Sequence, residues 1–137
     1  MYRLGWFELE QAVDNLAEQL GDSAKECVVL GQRRGGLPLA VMLSHKIGIP
    51  LITDPSLVEF PDQRIIWVDD IVDTRRTLDR VQSWLPSSTI FCAWVVHGHE
   101  EGLFYAQEIP NDKWIVFPWE DMEKAEADRD AYEASRQ

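Results

Sequence analysis

Cysteine is scarce. The chain of 137 residues holds only Cys27 and Cys92. Each lies inside an apolar run, ECVVLG and TIFCAWVV, with no CxxC spacing and no companion His pattern. That excludes a disulfide framework and a zinc site, and reads as two buried, reduced thiols. No stretch reaches the roughly 18–20 apolar residues that would span a bilayer. The opening MYRLGWFELEQ lacks a basic start followed by an apolar core, so no secretory signal is expected, and the cytoplasm is the expected compartment. Positive charge is short as well: 13 Lys and Arg stand against 24 Asp and Glu, for a net charge of −11. Nonspecific binding to a nucleic-acid polymer and docking on an anionic membrane are thereby disfavoured. At first sight the same deficit disfavours any phosphate-rich ligand.

What is present suits a folded domain. Apolar residues make up 45% of the chain, and its length allows one domain with a core. Leu9, Val13, Leu16, Ala17 and Leu20 recur at helical spacing from Trp6 to Leu20, and Gly21 ends that helix. Glu26 to Leu30 reads as a buried strand. After a glycine-containing loop, Pro38 opens a helix to about Ile47. Short strands follow at Pro50–Thr53 and Arg64–Val68, the latter ended by Asp69 and Asp70. A helix is expected over Thr77–Leu85, a long strand over Thr89–Val96 and a last strand over Trp114–Phe117. His97 to Lys113 reads as irregular. Residues 1–120 form the expected domain, and 121–137 an acidic helix or tail. The alternation predicts an α/β fold, a mainly parallel twisted sheet flanked by helices. Ligands in such sheets bind outside the carboxyl ends of the strands. That directs attention to Gln32–Gly36 and Asp69–Arg76.

Three strings carry chemistry. RIIWVDDIVDTRRTL, Arg64 to Leu78, places two carboxylates where a buried strand leaves the sheet. It then runs through Asp73 and Thr74 towards a helix start, where unpaired N–H groups favour an anion. Paired carboxylates beside such a site suit a ribose diol or a hydrated Mg²⁺. GQRRGGLPLA, Gly31 to Ala40, is a flexible cationic loop. Its arginines suit bidentate phosphate contact, and its glycines allow close backbone approach. NDKWIVFPWE, Asn111 to Glu120, offers the flat indole of Trp114 to a planar base.

The first string resembles the phosphoribosyl pyrophosphate (PRPP) motif of type I phosphoribosyltransferases. The second resembles the pyrophosphate loop of that family. The third looks like the segment that closes over the purine in microbial xanthine-guanine and hypoxanthine-guanine phosphoribosyltransferases. The resemblance covers Tyr2 to about Glu120. It implies the type I phosphoribosyltransferase fold, Mg²⁺ as cofactor, PRPP and a nucleobase as substrates, and a homodimer or higher homo-oligomer. Asp69 and Asp70 would face the ribose hydroxyls and the metal. Asp73 would accept the proton of the base. Asp73, Thr74, Arg75, Arg76 and Thr77 would cradle the 5′-phosphate. Arg33, Arg34 and Gly35 would hold pyrophosphate, with a backbone amide after Arg33 that is often cis. Trp114, Ile115 and His97 would meet the base. The implied reaction is nucleotide salvage, transfer of ribose 5-phosphate to a nucleobase, with a 6-oxopurine favoured. The alternative is a non-catalytic PRPP- or nucleotide-binding regulatory protein that keeps the fold.

Three departures bear on that choice. Arg75 stands where the family motif has Gly: it either takes an αR-like backbone and adds a cation, or narrows the pocket. Only Pro55 to Gln63 fills the place of the family's long hood, so a truncated hood is expected. His97 stands near the place of a Lys that contacts the exocyclic oxygen of purines.

The distribution of charge removes the first objection to a phosphate ligand. Residues 1–30 carry 6 acids and 2 bases, and residues 120–137 carry 7 acids and 3 bases. The segment between them holds 11 acids and 8 bases, with Arg33, Arg34, Arg75 and Arg76 in the two candidate phosphate loops. A compact polyanion remains an allowed ligand.

Overall fold

The computed structural model describes residues 1–54, 56 and 63–135. Of the expected truncated hood, only Ser56 and Gln63 fall within this range; the rest lies outside the described residues. In chain order the elements are β1 (Tyr2–Arg3), α1 (Trp6–Leu20), β2 (Val28–Gly31) and α2 (Gly36–Ile47). Then come β3 (Leu51–Ile52), β4 (Ile65–Val72), α3 (Arg76–Gln82) and β5 (Ile90–Val96). The chain continues with β6 (Phe104–Glu108), β7 (Ile115–Val116) and α4 (Met122–Ser135).

Five strands form one sheet in the order β3-β2-β4-β5-β6, every pair parallel. Side chains alternate between its faces, as the pleat requires. Val29, Ile66, Val68, Cys92 and Trp94 pack with Leu9, Val13 and Leu16 of α1 and Leu39 and Leu43 of α2. Leu30, Ile65, Trp67 and Ala93 pack on the other side with Leu78 and Val81 of α3. Burial on both faces explains why the central strands read as continuous apolar runs. Both cysteines are buried, free thiols. Among the described residues no helix is long and apolar enough to cross a membrane.

The helices stop where local chemistry dictates. Gly48 sits at φ 80° and ψ 38°, a left-handed cap whose N–H donates to the Ser44 carbonyl. Pro38 lies in the first turn of α2, where its missing N–H costs no intrahelical bond, so the helix starts two residues before it. β4 does not end at Asp69 and Asp70. It passes through them to Val72, because Asp69, Ile71 and Val72 still pair with β5.

Two strands lie outside the sequence expectation. β6 occupies part of the segment read as irregular. It pairs with β5 alone and is half-exposed along its length, so it shows no apolar run. β1 pairs in parallel with β7, Tyr2 opposite Ile115 and Arg3 opposite Val116.

Polarity within the core is matched. The buried Trp67 and Trp94 indole N–H groups donate to the Gln32 and Gln107 side-chain oxygens at 3.1 and 3.0 Å. Gln107→Leu leaves the Trp94 donor without its acceptor and is expected to cost about 1–3 kcal/mol in urea unfolding. Adding Trp94→Phe should then cost less than the sum of the two single changes.

Candidate active site

The chain runs from β2 outward to β3, then returns to the other side of β2 as β4 and continues to β5 and β6. The order therefore reverses between β2 and β4, and a crevice at their carboxyl ends is the expected binding place. The loops leaving those two strands are the candidate pyrophosphate loop and the candidate PRPP motif.

They meet without room for side chains at the contact. Gln32 N–H donates to the Val68 carbonyl at 2.9 Å, carrying the ladder past the end of β2. A Cβ on Gly36 would collide with that same carbonyl oxygen and lie 2.9 Å from Asp69 Cα. A Cβ on Gly35 would overlap the Asp70 carboxylate. The Arg33–Arg34 peptide is cis.

Two adjoining cavities open here. The larger, ≈1180 Å³, is lined by Arg34, Gly35, Asp70, Asp73, His97, Trp114 and Ile115. The smaller, ≈390 Å³, is lined by Arg33, Gly35, Asp69, Asp70, Asp73, Thr74, Arg75, Arg76 and Thr77. Gly35, Asp70 and Asp73 border both. All residues singled out in the three strings thus lie around one paired depression.

Its acids are unevenly placed. Asp69 Oδ1 accepts the Asp70 N–H at 2.8 Å, and Asp70 Oδ1 accepts the Ile71 N–H at 2.8 Å. Burial, then the neighbouring Asp70 charge, pushes the Asp69 carboxyl up to about 9. Burial raises Asp70 too, while its hydrogen bonds act the other way. The pair keeps a proton between them. Asp73 is exposed and sits 3.5 Å from His97 Nε2, while His97 Nδ1 lies 2.8 Å from the Ile109 carbonyl oxygen.

Arg75 takes neither of the two arrangements unchanged. Its backbone is left-handed, at φ 65° and ψ 4°, the conformation a glycine would adopt most readily, and not αR-like. Its guanidinium lines the smaller cavity but is bonded to Glu100 at 2.5 Å and lies 3.7 Å from Asp79. Thr74 Oγ1 accepts the Arg76 N–H at 3.4 Å. Arg33 Nε donates to the Thr53 carbonyl at 3.3 Å, so its side chain leans towards the end of β3.

Several residues around the larger cavity were missed in the sequence. Glu120, Asp121, Lys124, Asp128 and Tyr132 line it from the C-terminal segment. The rings of Tyr132 and Trp114 are 5.4 Å apart and tilted by 42°. Burial, the main cause, raises the Glu120 carboxyl, and the Asp70 and Asp128 charges add to it. α4 is polar almost all round, and Ala125 is its only buried residue among those described. The available signal was the spacing of Asp121, Lys124, Asp128 and Tyr132, which places them along one helical face. Phe117 and Trp119 stack with their planes nearly parallel, centroids 5.2 Å apart, and Trp94 packs against both, anchoring the chain between β7 and α4.

No protein-family model matches the chain. A purine phosphoribosyltransferase from Pyrococcus horikoshii Ot3 is 31% identical, with a TM-score of 0.70, over 88% of this chain and 94% of that one. The chain belongs to the type I phosphoribosyltransferase family. The xanthine-guanine phosphoribosyltransferase of Cereibacter sphaeroides is 25% identical over 144 aligned positions, covering 87% of this chain and 86% of that protein. The Helicobacter pylori xanthine-guanine-hypoxanthine phosphoribosyltransferase shares the fold, with a TM-score of 0.69 at 18% identity, over 93% of this chain and 97% of that one. The parallel five-stranded sheet with flanking helices is the phosphoribosyltransferase fold.

Gly36→Ala should push the loop off β4 and lower stability by about 1–3 kcal/mol in urea unfolding. Asp69 gives a pH dependence of defined sign. The unfolded chain loses this proton near pH 4, whereas the folded chain keeps it to about 9. Ionisation between these values favours unfolding, so the Asp69 contribution to stability falls as pH rises across that window. Thermal unfolding of Asp69→Asn from pH 5 to 9 should show a smaller decline in Tm than the parent chain.

Proposed function

We propose that the chain transfers ribose 5-phosphate from PRPP to a purine, most readily a 6-oxopurine, with release of pyrophosphate. The observation that carries this reading is the packing of Gly35 against Asp70 at the border of both cavities. It holds a cationic loop, a diacid and an anion-binding turn around a single point. Trp114 and Ile115 line the larger cavity a short way off. The names of the relatives agree with a purine substrate.

In this reading the tasks divide among the groups of the depression. Arg34 meets the departing pyrophosphate from its exposed loop. The turn from Asp73 to Thr77 takes the 5′-phosphate, with its backbone N–H groups and threonine hydroxyls. The left-handed Arg75 keeps that turn close while Glu100 holds its side chain aside. Trp114 and Ile115 cover the base, and Asp73 accepts the proton that the base nitrogen loses.

Mg²⁺ fits the diacid. Asp69 and Asp70 are adjacent and mostly buried, and no Lys or Arg pairs with either among the described residues. Burial holds a proton there that a hard cation would replace. When bound, Mg²⁺ would offset the charge of the pyrophosphate and orient the ribose hydroxyls. The transition state should resemble an oxocarbenium ion, by analogy with glycoside chemistry. Positioning and electrostatics then supply most of the catalysis.

The test is pyrophosphate release from PRPP and Mg²⁺ with guanine, xanthine, hypoxanthine, adenine and uracil in turn. Release with 6-oxopurines is expected, and preference for uracil would overturn the purine assignment. Asp69→Asn with Asp70→Asn should abolish PRPP binding in calorimetry while leaving the circular dichroism of the fold intact. PRPP binding by the parent chain without release for any base would make the regulatory reading the correct one.

A further inference from the structure

His97 is engaged at both ring nitrogens. A backbone carbonyl oxygen can only accept, so Nδ1, 2.8 Å from the Ile109 oxygen, carries a proton. Nε2 then bears either a lone pair or a second proton. It faces Asp73 Oδ1 at 3.5 Å, a charge contact longer than a formed hydrogen bond. A lone pair set against a carboxylate oxygen is repulsive, and the edge becomes attractive when a proton occupies it. Such catalytic edges are commonly long without substrate and tighten in the reacting complex.

The surroundings leave this pairing uncontested. Asp73 makes no other hydrogen bond or ion pair among the described residues. Arg75, the cation nearest to it in sequence, is taken up by Glu100 and Asp79. The His97 side chain is 15% exposed and that of Asp73 54%, so the imidazole is the fixed wall and the carboxylate reaches into the cavity.

We propose that His97 is the positioning residue and proton partner of Asp73, rather than a reader of the base. This rests on the phosphoribosyl-transfer reading of the same site. As the base nitrogen bonds to the anomeric carbon, the bond from that carbon to pyrophosphate breaks and its electron pair leaves with pyrophosphate. The proton on the base nitrogen passes to Asp73, and the Oδ1–Nε2 edge is filled. The imidazole shares that proton until it is lost to water after product leaves. With Nδ1 tied to Ile109 and Nε2 turned to Asp73, no ring donor remains for an exocyclic oxygen of the base.

His97→Asn keeps a donor for the Ile109 carbonyl and removes the atom that faces Asp73. Its kcat for pyrophosphate release should fall by roughly 10–100-fold, with KM for the base within about twofold of the parent value. In an Asp73→Asn background the same change should lower kcat no further. A raised base KM with kcat retained, or independent multiplicative losses in the double variant, would overturn the proposal. Nitrogen NMR of the imidazole, recorded without substrate, supplies a second readout. The His97 Nδ1 should carry hydrogen in the parent chain, and the Nε2 resonance should move in Asp73→Asn. An unmoved Nε2 resonance overturns the pairing, even if His97→Asn does not fold. Absence of turnover with every base would sink the transfer reading alone, because the NMR arm needs no turnover.

Discussion

The β2–α2 loop touches β4 at a point where neither segment has space for a side chain. Gly36 lies against the Val68 carbonyl and the Asp69 backbone, and Gly35 against the Asp70 carboxylate. This steric contact fixes the start of α2, the direction of Arg34 and the distance between the cationic loop and the diacid. No ion pair links Arg33 or Arg34 to Asp69 or Asp70 among the described residues. The charges are held near one another by backbone packing, and so stay available to a third party.

That arrangement reconciles so acidic a chain with the polyanion proposed as its substrate. Asp69 and Asp70 are largely withdrawn from solvent, and the pair retains a proton. The arginines of the β2–α2 loop remain exposed. Arg75 differs, since Glu100 takes up its charge while its backbone supplies the turn. A residue that departs from the family motif in chemistry thus takes a backbone that glycine adopts readily.

Much of this was legible in the sequence, for identifiable reasons. β5 and the Ile65–Val68 part of β4 are covered on both faces and therefore read as apolar runs. α1 is covered on one face and shows a clean helical stripe. The two loops that meet at the crevice were legible because glycine, paired acids and threonine occur in a fixed order around a strand end. β6 was not, because an edge strand with one neighbour needs little apolar character. The C-terminal segment was read as an acidic helix or tail, and α4 is that helix; its place in the cavity was not legible, because it contributes a polar wall and buries almost nothing else. The engagement of His97 depends on the Ile109 carbonyl, and a backbone acceptor twelve residues away leaves no trace in residue type.

The pairing of Tyr2 and Arg3 with Ile115 and Val116 has a consequence for the order of assembly. It joins segments more than a hundred residues apart, so it comes late in any folding route that favours local contacts. The crevice between β2 and β4 is complete once β5 and Glu100 are in place, whereas the wall bearing Trp114 needs both ends of the chain. During synthesis the smaller cavity can exist before the Trp114 wall of the larger one does. A chain cut short of β7 would keep the first and lack the second.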